Sequence, residues 1–164
     1  MKTRTKAAAG LAAAITLAAF YLLGGFGAPK FHPFGIELPL RKNCMVRGML
    51  QNIGGSRATN VEVTVKILVG SVDSVFVGRD KKVWTVHGTP RNVLFEFRAV
   101  VFEKLDATEA NGWMLTWDDA TAATRERHGN PNIEQFEIHG TVKVVVDLRC
   151  DEGVEEHWEF TFEL

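Results

Sequence analysis

The sequence predicts an all-β protein, an antiparallel β-sandwich of about seven to eight strands with a short helical excursion, preceded by one N-terminal transmembrane helix. Apolar residues alternate with polar residues at a period of two through most of the chain beyond Pro29, which is the pattern of half-buried strands. Turn residues separate these runs at regular spacing, as in sandwiches and barrels. The first 28 residues instead contain an uncharged stretch long enough to cross a bilayer.

The N-terminal segment has the features of a signal anchor. Lys2, Arg4 and Lys6 precede an uncharged, apolar stretch over 7–28. Basic residues ahead of such a helix keep the short N-terminus in the cytoplasm and export the rest of the chain. We therefore expect a single-pass protein of the cell membrane with these parts: a cytoplasmic N-terminus (1–6), a transmembrane helix (7–28) that contacts the lipid bilayer, a linker (29–33) and an extracytoplasmic sandwich (34–164).

Two other processing routes fit the same segment. A cleaved signal peptide would end after Gly27, and a pilin-like precursor would be cleaved after Lys6 and keep its helix. Each route leaves the remainder outside the cytoplasm. Gly10, Ala14 and Ala18 recur at every fourth position and would let two membrane helices pack closely, although an Ala-rich span also contains such stripes by chance.

Eight strands account for the alternation. Pro39 marks the first as an edge strand, because proline cannot donate to a β-ladder. Val61 to Val69 form the clearest apolar face. The predicted strands cover 34–40, 44–50, 61–69, 72–77, 83–86, 93–101, 142–150 and 158–164.

The last two strands predict a specific hairpin. A two-residue turn would place their apolar residues on opposite faces of the sheet. A three-residue turn over 151–153 instead keeps them together and puts Gly153 in the left-handed conformation that such turns require. The expected partners are Cys150 with Val154, Val146 with Trp158, Arg149 with Glu155, and Asp147 with His157.

The period of two breaks over 103–135, where two short helices are expected. Thr116 is a candidate N-cap, with Asp118 and Asp119 in the first turn. Basic residues follow in the last turn, where they complement the helix dipole, and they are Arg125, Arg127 and His128. A weaker copy of this pattern covers 106–112.

Trp113, Met114 and Trp117 fall within this excursion. Aromatic and Met side chains on a loop-borne helix suit a partner-binding patch. The alternative is that they plug one end of the sandwich.

Cys44 and Cys150 are the two cysteines of the chain. In an oxidising compartment they could form a disulfide, worth about 4–5 kcal/mol for a loop of this length. Both also lie on the apolar side of their strands, where buried thiols are ordinary.

Nothing in the sequence predicts chemistry. The formal net charge of −1 argues against nucleic acid as a partner, because phosphate binding needs a basic face. No nucleophile lies beside a base in a local motif. Acidic residues of the excursion could hold a hard cation, but helix caps and first-turn acids account for them. We therefore expect no catalytic residue, cofactor or metal ligand.

The segment 46–65, VRGMLQNIGGSRATNVEVTV, carries a family resemblance. A strand is followed by Asn-x-Gly, a small residue and an Asn-Val pair that enters the next strand, and Asn52, Gly54, Ala58, Asn60 and Val61 fill those places. This pattern resembles the opening of CARDB-type and related extracytoplasmic immunoglobulin-like modules. The resemblance implies an immunoglobulin-like sandwich with an adhesive, spacer or assembly role and no chemistry.

The function expected from these observations is a non-enzymatic, membrane-anchored immunoglobulin-like module. It would act as an accessory or scaffold subunit whose partners are other membrane or cell-envelope proteins. The architecture also resembles archaeal envelope proteins that brace surface filaments. One alternative is a pilin-like subunit or anchor of a surface filament, and another is an extracytoplasmic domain that binds a small molecule or a metal.

Overall fold

The computed structural model describes residues 27–69, 74–77, 83–86, 93–128, 134–136 and 138–164. The predicted transmembrane helix, including Gly10, Ala14 and Ala18, lies outside these residues except for its last two positions. Across the described ranges, no helix is both long and apolar enough to span a bilayer. The expectation of an all-β, antiparallel fold is confirmed.

Ten strands are present in the described ranges, together with a 3-10 helix (Trp117–Asp119) and one α-helix, α1 (Ala122–His128). The strands are β1 (Phe31–Glu37), β2 (Val46–Asn52), β3 (Ala58–Val69), β4 (Ser74–Val77), β5 (Val83–Val86), β6 (Val93–Glu96), β7 (Val100–Leu105), β8 (Ala110–Leu115), β9 (Thr141–Arg149) and β10 (Glu155–Glu163).

These strands form two main sheets and a separate hairpin. Sheet I has the order β1-β2-β8. Sheet II has the order β10-β9-β3, and both β6 and β7 pair with the other edge of β3. The hairpin consists of β4 and β5. Every pair is antiparallel.

The inner faces of sheets I and II share one hydrophobic core. The alternation of β3 explains how sheet II contributes, because Val61, Val63, Val65 and Ile67 are all fully buried while the residues between them are not. Inward residues of sheet I meet this face in the same cluster, among them Phe31, Val46, Leu50 and Trp113. Two antiparallel layers over a common core constitute a β-sandwich.

The strand predicted over 93–101 is two strands, because the ladder breaks after Glu96. Phe97 still donates its backbone N–H to the Val65 carbonyl, at 3.2 Å. The next residue, Arg98, instead donates to the carbonyl of Asp119, at 2.9 Å. The interruption therefore gives the 3-10 helix access to the edge of the sheet.

One of the two predicted helices is wrong. Residues 106–112 form the turn between β7 and β8 and the first part of β8, and the Asp106 N–H donates to the Glu109 carboxylate at 2.8 Å. The N-cap at Thr116 is confirmed, since its N–H donates to Asp119 at 2.7 Å in a capping box. The helix that it caps is a single 3-10 turn, and Thr121 opens α1 separately by accepting from the Thr124 N–H at 3.3 Å.

The predicted C-terminal hairpin is confirmed in its register. β9 and β10 pair over nine consecutive positions, with Val146 opposite Trp158 and Asp147 opposite His157. Cys150 donates its N–H to the Val154 carbonyl at 3.2 Å, and Gly153 has φ of 75°, as the three-residue turn requires.

The start of the sandwich and the state of the two cysteines are both visible in the described residues. β1 begins at Phe31, so most of the expected linker over 29–33 belongs to the sandwich. Cys44 and Cys150 are both half-buried free thiols in this structure, and the disulfide of an oxidising compartment stays a prediction. Cys44 lies in the turn before β2 of sheet I, whereas Cys150 follows β9 of sheet II, and burial raises the pKa of the Cys150 thiol.

Candidate interaction surface

The residues of the predicted partner-binding patch do not share a surface. Trp113 and Met114 lie on β8, where successive side chains point to opposite faces of the sheet. Trp113 faces the core and is 5% exposed, whereas Met114 faces outward and is 53% exposed. Trp117 is buried in the 3-10 helix, in an edge-on contact with Phe95. The burial therefore supports the alternative in which the tryptophans fill the interior.

Met114 belongs to a different surface, the outward face of sheet I. The register of the three strands places Phe34 opposite Met49, and Met49 opposite Gly112, so that these residues form one row across the sheet. The adjoining rows contribute the other outward residues. We call the set the sheet I outer face, and its members are His32, Phe34, Glu37, Arg47, Met49, Gln51, Ala110, Gly112 and Met114.

This face is apolar at its centre. The Met49 thioether lies over Gly112, because a methyl group added at Gly112 would be 3.2 Å from its sulfur. Phe34 is 39% exposed, and its ring stacks on His32 with centroids 6.1 Å apart. Met is adaptable and is frequent at surfaces that bind proteins.

Charge is confined to one end of the same face. Arg47 lies opposite Met114 and forms an ion pair with Glu37 of β1. The hydrogen bond and the charge of Glu37 raise the pKa of the Arg47 guanidinium. The rest of the sheet I outer face has no Asp, Glu, Lys or Arg.

The outward face of sheet II is charged along its length. Cross-strand ion pairs join Glu62 to Arg149, Lys143 to Glu159 at 3.0 Å, and Asp147 to His157 at 2.6 Å. The hydrogen bond to Asp147 raises the pKa of His157. An open groove of about 590 Å³ runs between these side chains. Exposed pairs of this kind add little stability, and their pattern is that of a solvated face.

Three acidic residues of the predicted excursion have structural partners. Asp106 pairs with Arg57, whose hydrogen bond lowers the pKa of the Asp106 carboxyl. Glu109 accepts from the Asp106 N–H, and Asp119 caps the 3-10 helix. Within the described ranges, no three His, Cys, Asp or Glu side chains converge as a metal site would require.

The Asn-x-Gly motif organises the end of the sandwich at which β1 begins. Asn52 is fully buried. Its side-chain amide donates to the carbonyls of Ser56 at 2.8 Å and Leu105 at 3.1 Å, and its oxygen accepts from the Gly54 N–H at 3.0 Å. A methyl group at Gly54 would overlap the backbone of 28–30. Asn52 and Gly54 therefore have a structural role, since they fix the loop after β2 against the turn that follows β7 and against the start of β1.

Helix α1 covers the open edge of β6. The Thr124 hydroxyl accepts from the Glu96 N–H at 2.9 Å, Arg127 donates to the Val93 carbonyl, and His128 donates to the Leu94 carbonyl at 2.7 Å. Burial lowers the pKa of His128, so the ring is neutral in this contact at neutral pH.

Of the residues on the sheet I outer face, the sequence analysis predicts only Met114 as part of an interaction surface. A signal was present, because the solvent-facing positions of β1, β2 and β8 carry few charged residues, whereas the same positions of β3, β9 and β10 carry many. The three strands are far apart in sequence, and the row through Phe34, Met49 and Gly112 exists only once their register is known.

Comparison with models of known protein families and with curated proteins gives no match. Among solved structures, the chain is similar to Spo0M, a sporulation control protein from Bacillus subtilis, with 15% sequence identity and a TM-score of 0.35. The match covers 84% of this chain and 49% of that one, so the chain spans about half the length of Spo0M. A TM-score of this size carries neither fold nor function from one protein to the other.

Proposed function

We propose that this protein is a non-enzymatic, membrane-anchored extracytoplasmic module that acts as an accessory or scaffold subunit of a membrane or cell-envelope complex. The observation that carries the proposal is the sheet I outer face, because it is exposed and apolar on a sandwich whose opposite face is covered by ion pairs. Monomeric soluble proteins rarely expose contiguous apolar patches without a function.

The expected occupant is an uncharged, apolar face of a partner protein. Charged residues are depleted at the centre of protein interfaces, where aromatic and Met residues are enriched. Phe34, Met49 and Met114 provide such a centre, and the Arg47–Glu37 pair provides one polar rim. A nucleic acid or an anionic lipid surface would need several cations here, and this face has no Lys or Arg besides Arg47.

The finer features of the proposal come from the sequence. The uncharged stretch over 7–28 after Lys2, Arg4 and Lys6 supports the anchor and the orientation. The resemblance around Asn52 supports an immunoglobulin-like type of sandwich. With β1 beginning at Phe31, only a few residues would separate the domain from the membrane surface, which suits a subunit that works close to the bilayer.

The experiment is a mild-detergent pull-down of the full-length chain from its native membranes with quantitative mass spectrometry. Met114→Glu places a carboxylate on the sheet I outer face, and Val101→Glu is the matched control. Val101 is 55% exposed against 53% for Met114, but it lies on β7, opposite Glu62. Met114→Glu should unfold like the parent protein, whereas Val101→Glu should lose about 0.2–1 kcal/mol, because its carboxylate lies opposite Glu62. Urea unfolding of both variants confirms that each is folded in the assay.

We expect a stoichiometric set of membrane proteins with the parent chain and with Val101→Glu, and its loss by at least tenfold with Met114→Glu. Recovery of the same set with both variants would show that the sheet I outer face is not the interface. Recovery of the parent chain alone, as a monomer, would refute the accessory-subunit function.

The anchor is tested separately by alkaline extraction of membranes and by the intact mass of the mature protein. An anchored chain stays in the pellet at full mass. Loss of residues 1–6 with retention of the helix would indicate the filament alternative, and loss of residues 1–27 would indicate a released domain.

A further inference from the structure

The free edge of sheet II at β10 has the geometry of a strand-binding site. β10 pairs with β9 without interruption from Glu155 to Glu163. In antiparallel ladders the hydrogen-bonded and non-hydrogen-bonded pairs alternate. Two hydrogen-bonded pairs fix the phase, because Cys150 donates to Val154 at 3.2 Å and Gly140 exchanges both bonds with Leu164, at 3.0 and 3.1 Å.

This alternation determines which backbone groups of β10 bond to β9 and which face the free edge of the sheet. Even-numbered residues bond to β9. The odd-numbered residues therefore direct their N–H and C=O groups to the free edge, and these are Glu155, His157, Glu159, Thr161 and Glu163. Within the described ranges, no backbone hydrogen bond reaches these groups from a neighbouring strand.

The edges at β6 and β1 are protected, as natural proteins protect edges against pairing with other chains. α1 covers β6 through Thr124, Arg127 and His128. β1 contains Pro33 and a register shift between Phe34 and Glu37. β10 has no proline, no register shift, and nine residues in regular pairing, so it lacks the devices found at β1 and β6.

The inner side of β10 would gain from an added strand. Trp158, Phe160 and Phe162 pack at the rim of the core but remain partly exposed, and Leu164 beyond them is 43% exposed. A neighbouring strand would set its own inward side chains beside these residues and remove them from water.

The negative charge of β10 indicates what kind of strand would bind beside it. Glu155, Glu159 and Glu163 lie on the outward side of β10, and the strand has no Lys or Arg. On the inward side, Glu156 takes the first position and Trp158, Phe160 and Phe162 follow it. The pairing with a second copy that uses the full length of β10 is centred on Glu159, and it would place Glu155 opposite Glu163 and Glu159 opposite itself, which is unfavourable. A segment with cations on its outward side and apolar residues on its inward side matches both faces.

We propose that β10 binds an extended segment of another protein, alternating Lys or Arg with apolar residues, as the next antiparallel strand of sheet II. This mode is β-augmentation, in which main-chain hydrogen bonds give affinity and alternate side chains give specificity. The site is separate from the sheet I outer face, and either proposal can fail without the other.

The probe is a capped nine-residue peptide of alternating Lys and Val, titrated by calorimetry into the full-length chain in detergent. A Glu and Val peptide of the same length is the charge control. Thr161→Pro removes one edge-facing N–H and leaves the β9 ladder intact, because proline is tolerated at edge positions. Thr161→Val keeps that N–H and is the matched control.

We expect binding of the Lys peptide by the parent chain and by Thr161→Val, at least tenfold weaker binding by Thr161→Pro, and none of the Glu peptide. Hydrogen exchange at the amides of the odd-numbered β10 residues should slow on binding. No binding by the parent chain, equal binding of both peptides, or unchanged affinity of Thr161→Pro would overturn the proposal.

A second measurement leaves the protein unchanged, in case Thr161→Pro does not fold. Two Lys peptides carry N-methyl groups on alternate residues, one in each of the two phases. Only one phase faces β10, so one peptide should lose binding and the other should keep it. Equal binding by both would also overturn the proposal, whereas Met114→Glu should leave peptide binding unchanged.

Discussion

Replacement of Asn52 by Ala should be among the most destabilising single polar substitutions in the sandwich. The side chain is fully buried and makes three hydrogen bonds at ordinary distance, to the Ser56 and Leu105 carbonyls and from the Gly54 N–H. A fourth, from the Lys30 N–H, is longer at 3.4 Å. Alanine would leave these backbone groups without their partner.

The expected loss is about 3 kcal/mol, since a net hydrogen bond contributes about 1 kcal/mol and a buried group left unpaired costs as much or more. Urea unfolding followed by circular dichroism measures this loss of unfolding free energy. The slope of that free energy against urea concentration should stay unchanged, which would show that the substitution does not alter the unfolded state. Gln51→Ala is the control on the same strand, because its amide makes one exposed bond to Thr108 at 3.3 Å, and it should cost about 0.5 kcal/mol or less. A loss below about 1 kcal/mol for Asn52→Ala would refute the view that this residue organises the end of the sandwich.

Two further predictions concern packing and protonation. Gly54→Ala should destabilise the protein by about 1–3 kcal/mol, because the added methyl group meets the backbone of Ala28 and Lys30, and a loss within error in urea unfolding would contradict this contact. In a two-dimensional NMR titration, His128 should titrate below the ordinary His pKa of about 6.5 and His157 above it, since burial opposes the charge of His128 and a carboxylate favours that of His157. The stability contributed by neutral His128 should fall as the pH drops from about 6.5 through its folded pKa, whereas that from protonated His157 is present below about 6.5 and is lost as the pH rises through its folded pKa. Titration of both on the same side of the ordinary value would contradict the assignment.

Prediction from the sequence is most accurate where residues close together in the chain allow only one local structure, such as one turn length or one helix cap. The register and the turn of the β9–β10 hairpin are predicted correctly, because the alternation of Val146 and Trp158 with their neighbours and the single glycine at 153 exclude the other turn lengths. The capping box at Thr116 is likewise a local contact, made with Asp119 three residues later, although the helix behind it is only one turn long.

Prediction from the sequence fails where contacts between distant segments determine the end of a strand or the type of a turn. The strand predicted over 93–101 is interrupted after Glu96 because the Arg98 N–H donates to the carbonyl of Asp119. The residues of the strand itself contain no turn signal that would predict this interruption. The acidic residues from Asp106 onward resemble the first turn of a helix, yet they close a β-turn whose geometry is set by Asn52, since Thr108 donates to its carbonyl at 2.8 Å. The sheet I outer face fails to appear for the same reason.

The Asn52 contacts also have a consequence for the order of events during synthesis. Asn52 reaches Leu105, 53 residues later in the chain, and its N–H donates to the carbonyl of Glu109 at 2.9 Å. Contacts that close loops of this size form slowly and cannot precede the emergence of their later partner. β1 and β2 therefore stay without these contacts until the turn between β7 and β8 has been made and has left the translocation machinery. A chain truncated before Glu109 would expose β1 and β2 without the contacts that hold them.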